Sequence, residues 1–323
     1  MKRFMAIAAI GFLLFSTQTL FAYVPINYER RNELLQEFKY TPVVNVTSSL
    51  KIGCRGEAFE YTTTYPQRET PLSIKAKTYI PTTKNSPVVF MLPSLGGTNQ
   101  LDQTLAESFC KQNIAAILIT TSFIGSNGDA LVPVGDHDHA LRRVVSALKG
   151  ALVASQNLEQ INKEKIGLFG ISLGGILGSV AYGVMPEISA ATFVVNGGDI
   201  PFIMAYSDQP TMIKLRQARM QEQNLKTIKE YELYLRDHLT LDPLHFAKTS
   251  DAKNTKLFLS KTDNSVPSET QLQYYTSMGS PTETTFYSMA HAATIFAVLG
   301  PTSSHKAKIV QWFATRFENP NSR

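Results

Sequence analysis

The chain has 323 residues, of which 43% are hydrophobic and only 18% charged, with a formal net charge of +5. This composition excludes intrinsic disorder and suits one large α/β domain carrying an insertion, or two small domains. The positive charges are scattered and no basic run is interleaved with aromatics, so nucleic-acid binding has no support.

Read from the N-terminus, Lys2-Arg3 form a positive region and Phe4–Phe15 an apolar stretch, followed by a more polar segment ending at Leu20-Phe21-Ala22. This is too short to span a bilayer and has the layout of a secretory signal, expected at residues 1–22 with cleavage after Ala22. An uncleaved anchor is the alternative. No later run approaches the length of a membrane span, so the mature chain 23–323 is expected to be exported, periplasmic or secreted, without stable membrane insertion.

From Tyr23 to about Ile52 the chain is a polar-flanked leading segment. Glu57–Thr63 and Leu72–Ile80 then alternate apolar and polar residues, as an antiparallel pair at a sheet edge does. Cys54 falls in an early loop and Cys110 on an amphipathic helix over Leu101–Lys111; two cysteines fit either one disulfide or two free thiols.

Beyond this pair the pattern changes to continuous apolar runs: Val88–Leu92, Ala115–Ile119, Ile166–Phe169, Thr192–Val195 and Leu257–Leu259. Such runs belong to strands buried on both faces, and the helical spacing between them implies a doubly wound, mostly parallel sheet. The first run is followed by Pro93-Ser94-Leu95-Gly96-Gly97, whose glycines let the backbone turn its amides; Leu95 is placed to offer one. A simple strand-ending turn explains the same glycines. In Asp136-His137-Asp138-His139 the residue types permit a metal site, but successive helical residues do not converge on one ion. Asp138 is expected to be an N-cap ahead of Ala140, and no metal or other cofactor is expected.

Gly170-Ile171-Ser172-Leu173-Gly174 stands between a short buried strand and the apolar start of a helix. A serine presented on a sharp strand-to-helix turn needs tiny residues two before and two after it, and its hydroxyl then faces outward as a nucleophile. The following amide, of Leu173, is aimed to stabilise an oxyanion. From about 200 to 251 no strand is evident. Met212–His238 reads as one long helical stretch, and this insertion is expected to cap the strand ends, a solvated surface helix being the other reading.

A serine needs a base and an orienting carboxylate, which in this architecture follow it in the order acid, then histidine, each just past a strand. Of six histidines, His137 and His139 precede Ser172, His238 and His245 lie in the insertion, and His305 begins the last helix. His291, after Thr284–Tyr287, remains. Asp263 follows Leu257–Ser260 directly, whereas Asp242 and Asp251 do not; a turn aspartate can equally be a local Asx-turn acceptor.

These residues resemble the α/β-hydrolase superfamily, particularly its dienelactone-hydrolase-like and secreted esterase branches, over roughly Leu72–Phe317. The resemblance implies an α/β-hydrolase fold with Ser172 as nucleophile, Asp263 and His291 completing the triad, and the Leu173 and Leu95 amides as oxyanion hole. Two departures stand out: Pro93-Ser94 where the family often has His-Gly, and Met289-Ala290 before His291 where glycine is commoner. The expected activity is an exported serine hydrolase of small-molecule carboxylic esters, with thioesters open to the same site. A non-catalytic binding protein on the same scaffold and a serine peptidase are the alternatives.

Overall fold

The long apolar runs become the middle of a nine-stranded sheet with the order β1-β2-β3-β5-β4-β6-β7-β8-β9. The computed structural model describes residues 28–66, 68–120 and 134–318; the signal expected at residues 1–22 lies outside them. β1 (Val44–Val46), β2 (Gly53–Tyr65) and β3 (Arg68–Ile80) are antiparallel, and β3 runs antiparallel to β5 (Ala115–Ile119). β4 (Ser86–Leu92), β5, β6 (Ile161–Ile171), β7 (Ile188–Val194), β8 (Thr255–Ser260) and β9 (Glu283–Tyr287) are mutually parallel.

Among the described residues eleven α-helices pack on this sheet or lie over its edge: α1 (Tyr28–Glu37), α2 (Gln100–Lys111), α3 (Gly135–Ser155), α4 (Leu173–Val184), α5 (Ile200–Tyr206), α6 (Pro210–Glu222), α7 (Ile228–His238), α8 (Pro243–Phe246), α9 (Ser268–Ser277), α10 (His291–Leu299) and α11 (His305–Glu318). Each central strand divides its side chains between the two faces. In β4, Val88, Phe90 and Leu92 join the layer built by α1, α3, α4, α8 and α9, while Val89 and Met91 join α2, α10 and α11. Because both layers are apolar, period-2 alternation disappears from these strands and a continuous run replaces it. The result is the mixed, mostly parallel sheet that the sequence implies.

The chain moves from β4 outward to β5, then crosses back to β6 on the other side of β4. The loops leaving β4 and β6 therefore diverge, and the gap between them is where open α/β sheets bind ligands. In register, Leu92 at the end of β4 stands beside Gly170 near the end of β6.

Several local expectations change. The leading segment contains α1 and β1, and the antiparallel pair is longer than read, with Cys54 inside β2 instead of in a loop. The stretch read as one helix over 212–238 is two: α6 ends at Glu222 with Gln223 as its C-cap, Asn224 adopts a left-handed conformation with φ 53°, and Thr227 caps α7 by accepting from the Glu230 amide. Asp138 is not an N-cap. α3 begins at Gly135, and the buried Asp138 carboxylate instead accepts from the amides of Thr240 and Leu241 and from the Thr240 hydroxyl. It anchors the chain as it leaves α7, a partner about a hundred residues away that no local pattern reveals.

Cys54 and Cys110 are bridged, with Cα atoms 5.6 Å apart and a sequence separation of 56. The bond joins β2 to the end of α2. Closing a loop of that length stabilises by about 4 kcal/mol in the chain-entropy account. Replacing both cysteines by serine is therefore expected to lower the unfolding free energy by about 4 kcal/mol in denaturant titrations; a change below about 1 kcal/mol would contradict a bridge that constrains the unfolded chain.

Candidate active site

β6 delivers Ser172 to the surface of the sheet through a strained turn. Ser172 has φ 52° and ψ −119°, a region that side-chain-bearing residues rarely adopt. Its amide donates to the Val194 carbonyl at 2.8 Å and its carbonyl accepts from Ile176 at 2.9 Å, so the residue both ends β6 and opens α4. The flanking glycines are sterically required. A Cβ on Gly170 would sit 2.5 Å from the Gly174 carbonyl oxygen, and one on Gly174 would fall onto the carbonyl oxygens of Leu92 and Pro93. The turn therefore packs directly against the end of β4.

His291 is the first residue of α10, presented just past β9. Its Nε2 lies 2.9 Å from the Ser172 Oγ and its Nδ1 2.6 Å from Asp263 Oδ2. Asp263 follows β8 and is only 1% exposed. Its Oδ1 accepts from the amides of Ser265 (2.8 Å) and Val266 (3.0 Å), while Oδ2 also accepts from Gln271 Nε2 at 2.9 Å. The two readings of Asp263 from sequence, local turn acceptor and partner of histidine, are thus both realised, one by each oxygen. Ser172, His291 and Asp263 are drawn together from positions spread over 120 residues because parallel strands end side by side at the same edge of the sheet.

Leu173 is the first residue of α4, where a backbone N–H has no helical acceptor. Leu95 sits within a turn closed by the Gly97 amide donating to the Ser94 carbonyl at 2.9 Å, with Gly97 at φ 78°. Both leucines line the same cavity as Ser172 and His291.

That cavity has a volume of about 220 Å³. Apart from the site itself its walls are mainly apolar: Leu141 of α3, Ile176 of α4, and Ile200, Ile203, Met204 and Met212 of the insertion. Met204 and Met212 of the insertion reach this wall, whereas Met220 and Tyr231 pack within the insertion. His137, set aside because it precedes the serine, also lines the cavity. It stands in the wall, while His291 Nε2 faces the Ser172 hydroxyl.

The insertion is tied to the loop that carries Asp263 and is closed on itself by Asp242. The Ser207 hydroxyl donates to the Ser265 carbonyl at 2.6 Å, the Ser265 hydroxyl to Asp208 Oδ1 at 2.7 Å, and the Asp208 amide to the Asn264 carbonyl at 3.0 Å. At its start, buried Asp242 accepts from the amides of Asp199, Ile200 and Leu244. Burial pushes the Asp242 carboxyl up to about 6, the charge of Asp199 adds to that rise, and the three amides oppose it. Asp242 is thereby a structural acceptor and stands apart from His291. Among the described residues no cluster of His, Cys, Asp or Glu is arranged to hold a metal ion, and no helix is long and apolar enough to cross a membrane. The side chain of Asp136, and with it any part in the run to His139, lies outside the description.

This architecture is the α/β-hydrolase fold. Residues 149–278 match the family model described as the BAAT / acyl-CoA thioester hydrolase C terminal, a stretch that spans Ser172 and Asp263. Among solved structures, acetyl xylan esterase 1 from Thermoanaerobacterium is similar with a TM-score of 0.63 at 15% identity, covering 90% of this chain and 94% of that one. An acetyl xylan esterase from Paenibacillus gives 0.61 at 16% identity over 89% and 92%. An acylaminoacyl peptidase from Pyrococcus horikoshii gives 0.54 at 17% identity over 89% of this chain but 43% of its own. No curated protein sequence matches the chain. The fold is thus esterase- and thioester-hydrolase-like.

Gln271, Ser265 and the wall residue His137 carry no sequence signal for a role here; only burial and convergence reveal them. The close approach at the turn gives a direct test. Gly174→Ala is expected to destabilise the protein by several kcal/mol, about 3 or more, because the added methyl meets fixed backbone carbonyls that cannot repack. Thermal unfolding of Gly174→Ala within a degree or two of the unsubstituted protein would contradict that packing.

Proposed function

We propose that the protein is an exported serine hydrolase that cleaves carboxylic esters through an acyl-enzyme on Ser172. The observation that carries the reading is the continuous relay from Ser172 Oγ through both nitrogens of His291 to the buried Asp263, opening onto an apolar cavity. His291 Nε2 takes the hydroxyl proton as Oγ attacks the acyl carbon. Asp263 holds the imidazole in the tautomer with hydrogen on Nδ1 and stabilises the imidazolium. The oxyanion of the tetrahedral intermediate is met by the N–H groups of Leu173 and Leu95. His291 then returns its proton to the leaving alcohol oxygen. Water, deprotonated by the same nitrogen, releases the acid and restores Ser172.

The cavity supports an apolar acyl group. Its wall offers such a group Ile203, Met204 and Met212. Export is supported by Lys2-Arg3 with the apolar run behind it and by the Cys54–Cys110 bridge, since disulfides persist in oxidising compartments. Thioester cleavage is the second reading, favoured by the match of residues 149–278 to a thioester-hydrolase family model; the same nucleophile and hole would serve it.

The test is labelling with a fluorophosphonate probe together with turnover of aryl esters and acyl thioesters of graded chain length. The unmodified protein is expected to label, and Ser172→Ala and His291→Ala to lose both labelling and turnover. Asp263→Asn should lower kcat on the order of a thousandfold or more while the fold persists. Acyl chains long enough to reach Ile203, Met204 and Met212 should be preferred over acetyl. Absent labelling and turnover in the unmodified protein would overturn the enzyme in favour of a binding protein on this scaffold. A preference for thioesters would reassign the substrate class.

A further inference from the structure

The relay has a fourth member that the hydrolase reading does not use. Gln271 lies on α9, four residues past Pro267, and is 1% exposed. Its whole amide is committed. Nε2 donates to Asp263 Oδ2 at 2.9 Å and to the Val266 carbonyl at 2.7 Å, and Oε1 accepts from the Ser260 amide at 2.9 Å. The oxygen it contacts on Asp263 is the one that faces His291 Nδ1. With Ser265 and Val266 on the other oxygen, the carboxylate is held by four donors and cannot rotate.

The same amide also reaches the histidine side. Ser260, whose amide Gln271 accepts, donates its hydroxyl to the Met289 carbonyl, and Thr294 of α10 donates to that carbonyl too at 3.2 Å. Met289 stands two residues before His291. One buried amide therefore joins the loop that carries the acid to the end of β8, and through Ser260 to the segment that carries the base.

We propose that Gln271 is a positioning residue of the reaction: it fixes the direction and the hydrogen-bonding of Asp263 Oδ2 so that His291 is oriented toward Ser172. The inference rests on the serine-hydrolase reading above. A packing role alone would be met by any group of that size, whereas this role needs an N–H aimed at Oδ2.

The experiment is a double-mutant cycle on the full chain, using Gln271→Leu, Asp263→Asn and the double variant with an aryl ester the unmodified protein turns over. One hydrogen bond to a charged group corresponds to a loss of roughly ten- to a hundredfold, so Gln271→Leu should lower kcat by that factor with KM held within about threefold. In the Asp263→Asn background the further loss should be below about threefold, because the group through which Gln271 acts is already gone. Losses that multiply, or a loss carried by KM, would overturn the proposal. If Gln271→Leu does not fold, Gln271→Glu decides in the same cycle: it keeps the size and an acceptor for the Ser260 amide but presents an oxygen to Asp263. It should lose kcat as Gln271→Leu would; Gln271→Glu turning over like the unmodified protein would overturn the role. Fluorophosphonate labelling of the unmodified protein separates the two failures. Absence of labelling removes the hydrolase reading and this proposal together, whereas labelling with unaffected turnover in the Gln271 variants removes only this one.

Discussion

Everything in the site depends on the close approach of three backbone segments at the end of β6. Ser172 is held at φ 52° because β6 must turn into α4 within one residue, and there is no room beside that turn for any side chain on Gly170 or Gly174. A conformation of this kind costs of order 1–3 kcal/mol and persists only where its surroundings over-determine it. Here they do: the Ser172 amide is tied to β7, the Ser172 carbonyl to α4, and Gly174 rests on the last carbonyls of β4. The neighbouring strand end is unusual as well, since β-branched Val195 has φ 46° with its amide bonded to Phe258 of β8. Strain is gathered where the parallel strands stop, and the rigid sheet behind them absorbs it.

From that edge the remaining chemistry follows by adjacency. β7, β8 and β9 lie in order beside β6, so loops leaving β8 and β9 arrive next to the serine whatever their separation in sequence. The buried carboxylate of Asp263 is an expensive group to remove from water, and its four donors offset that cost. Because two of these donors are backbone amides of its own loop, the acid is held by a turn that would form locally, and the histidine then meets an oxygen already set in place. The insertion closes the cavity without breaking this plan. It leaves the sheet after β7 and returns before β8, and its hydrogen bonds to residues 264 and 265 place the wall of the cavity one residue from the acid.

Much of the fold was legible because periodicity changes where burial changes. Val88–Leu92 and Ala115–Ile119 are apolar at every position since helices cover both faces, whereas β2 and β3 keep an alternating pattern near the edge. The positions of Ser172, Asp263 and His291 were legible for a related reason: strand ends are marked in sequence, and parallel strands turn order along the chain into order in space. What was not legible depends on distant partners. Asp138 has the residue type and surroundings of a helix cap, yet its carboxylate is taken by Thr240 and Leu241. Met212–His238 reads as continuous because helical spacing survives on either side of a five-residue break.

By itself the sequence determined the alternation of strand and helix, the strained serine turn with its obligatory glycines, and the order in which acid and histidine follow. These are local matters of side-chain size, backbone freedom and burial period. Only the tertiary structure decided that Cys54 meets Cys110, that Met204 and Met212 wall the cavity while Met220 does not, and that Gln271 shares an oxygen of Asp263 with His291. Each of these is a contact between elements far apart in the chain, set by how the layers dock on the sheet, and docking is decided by packing across the whole core.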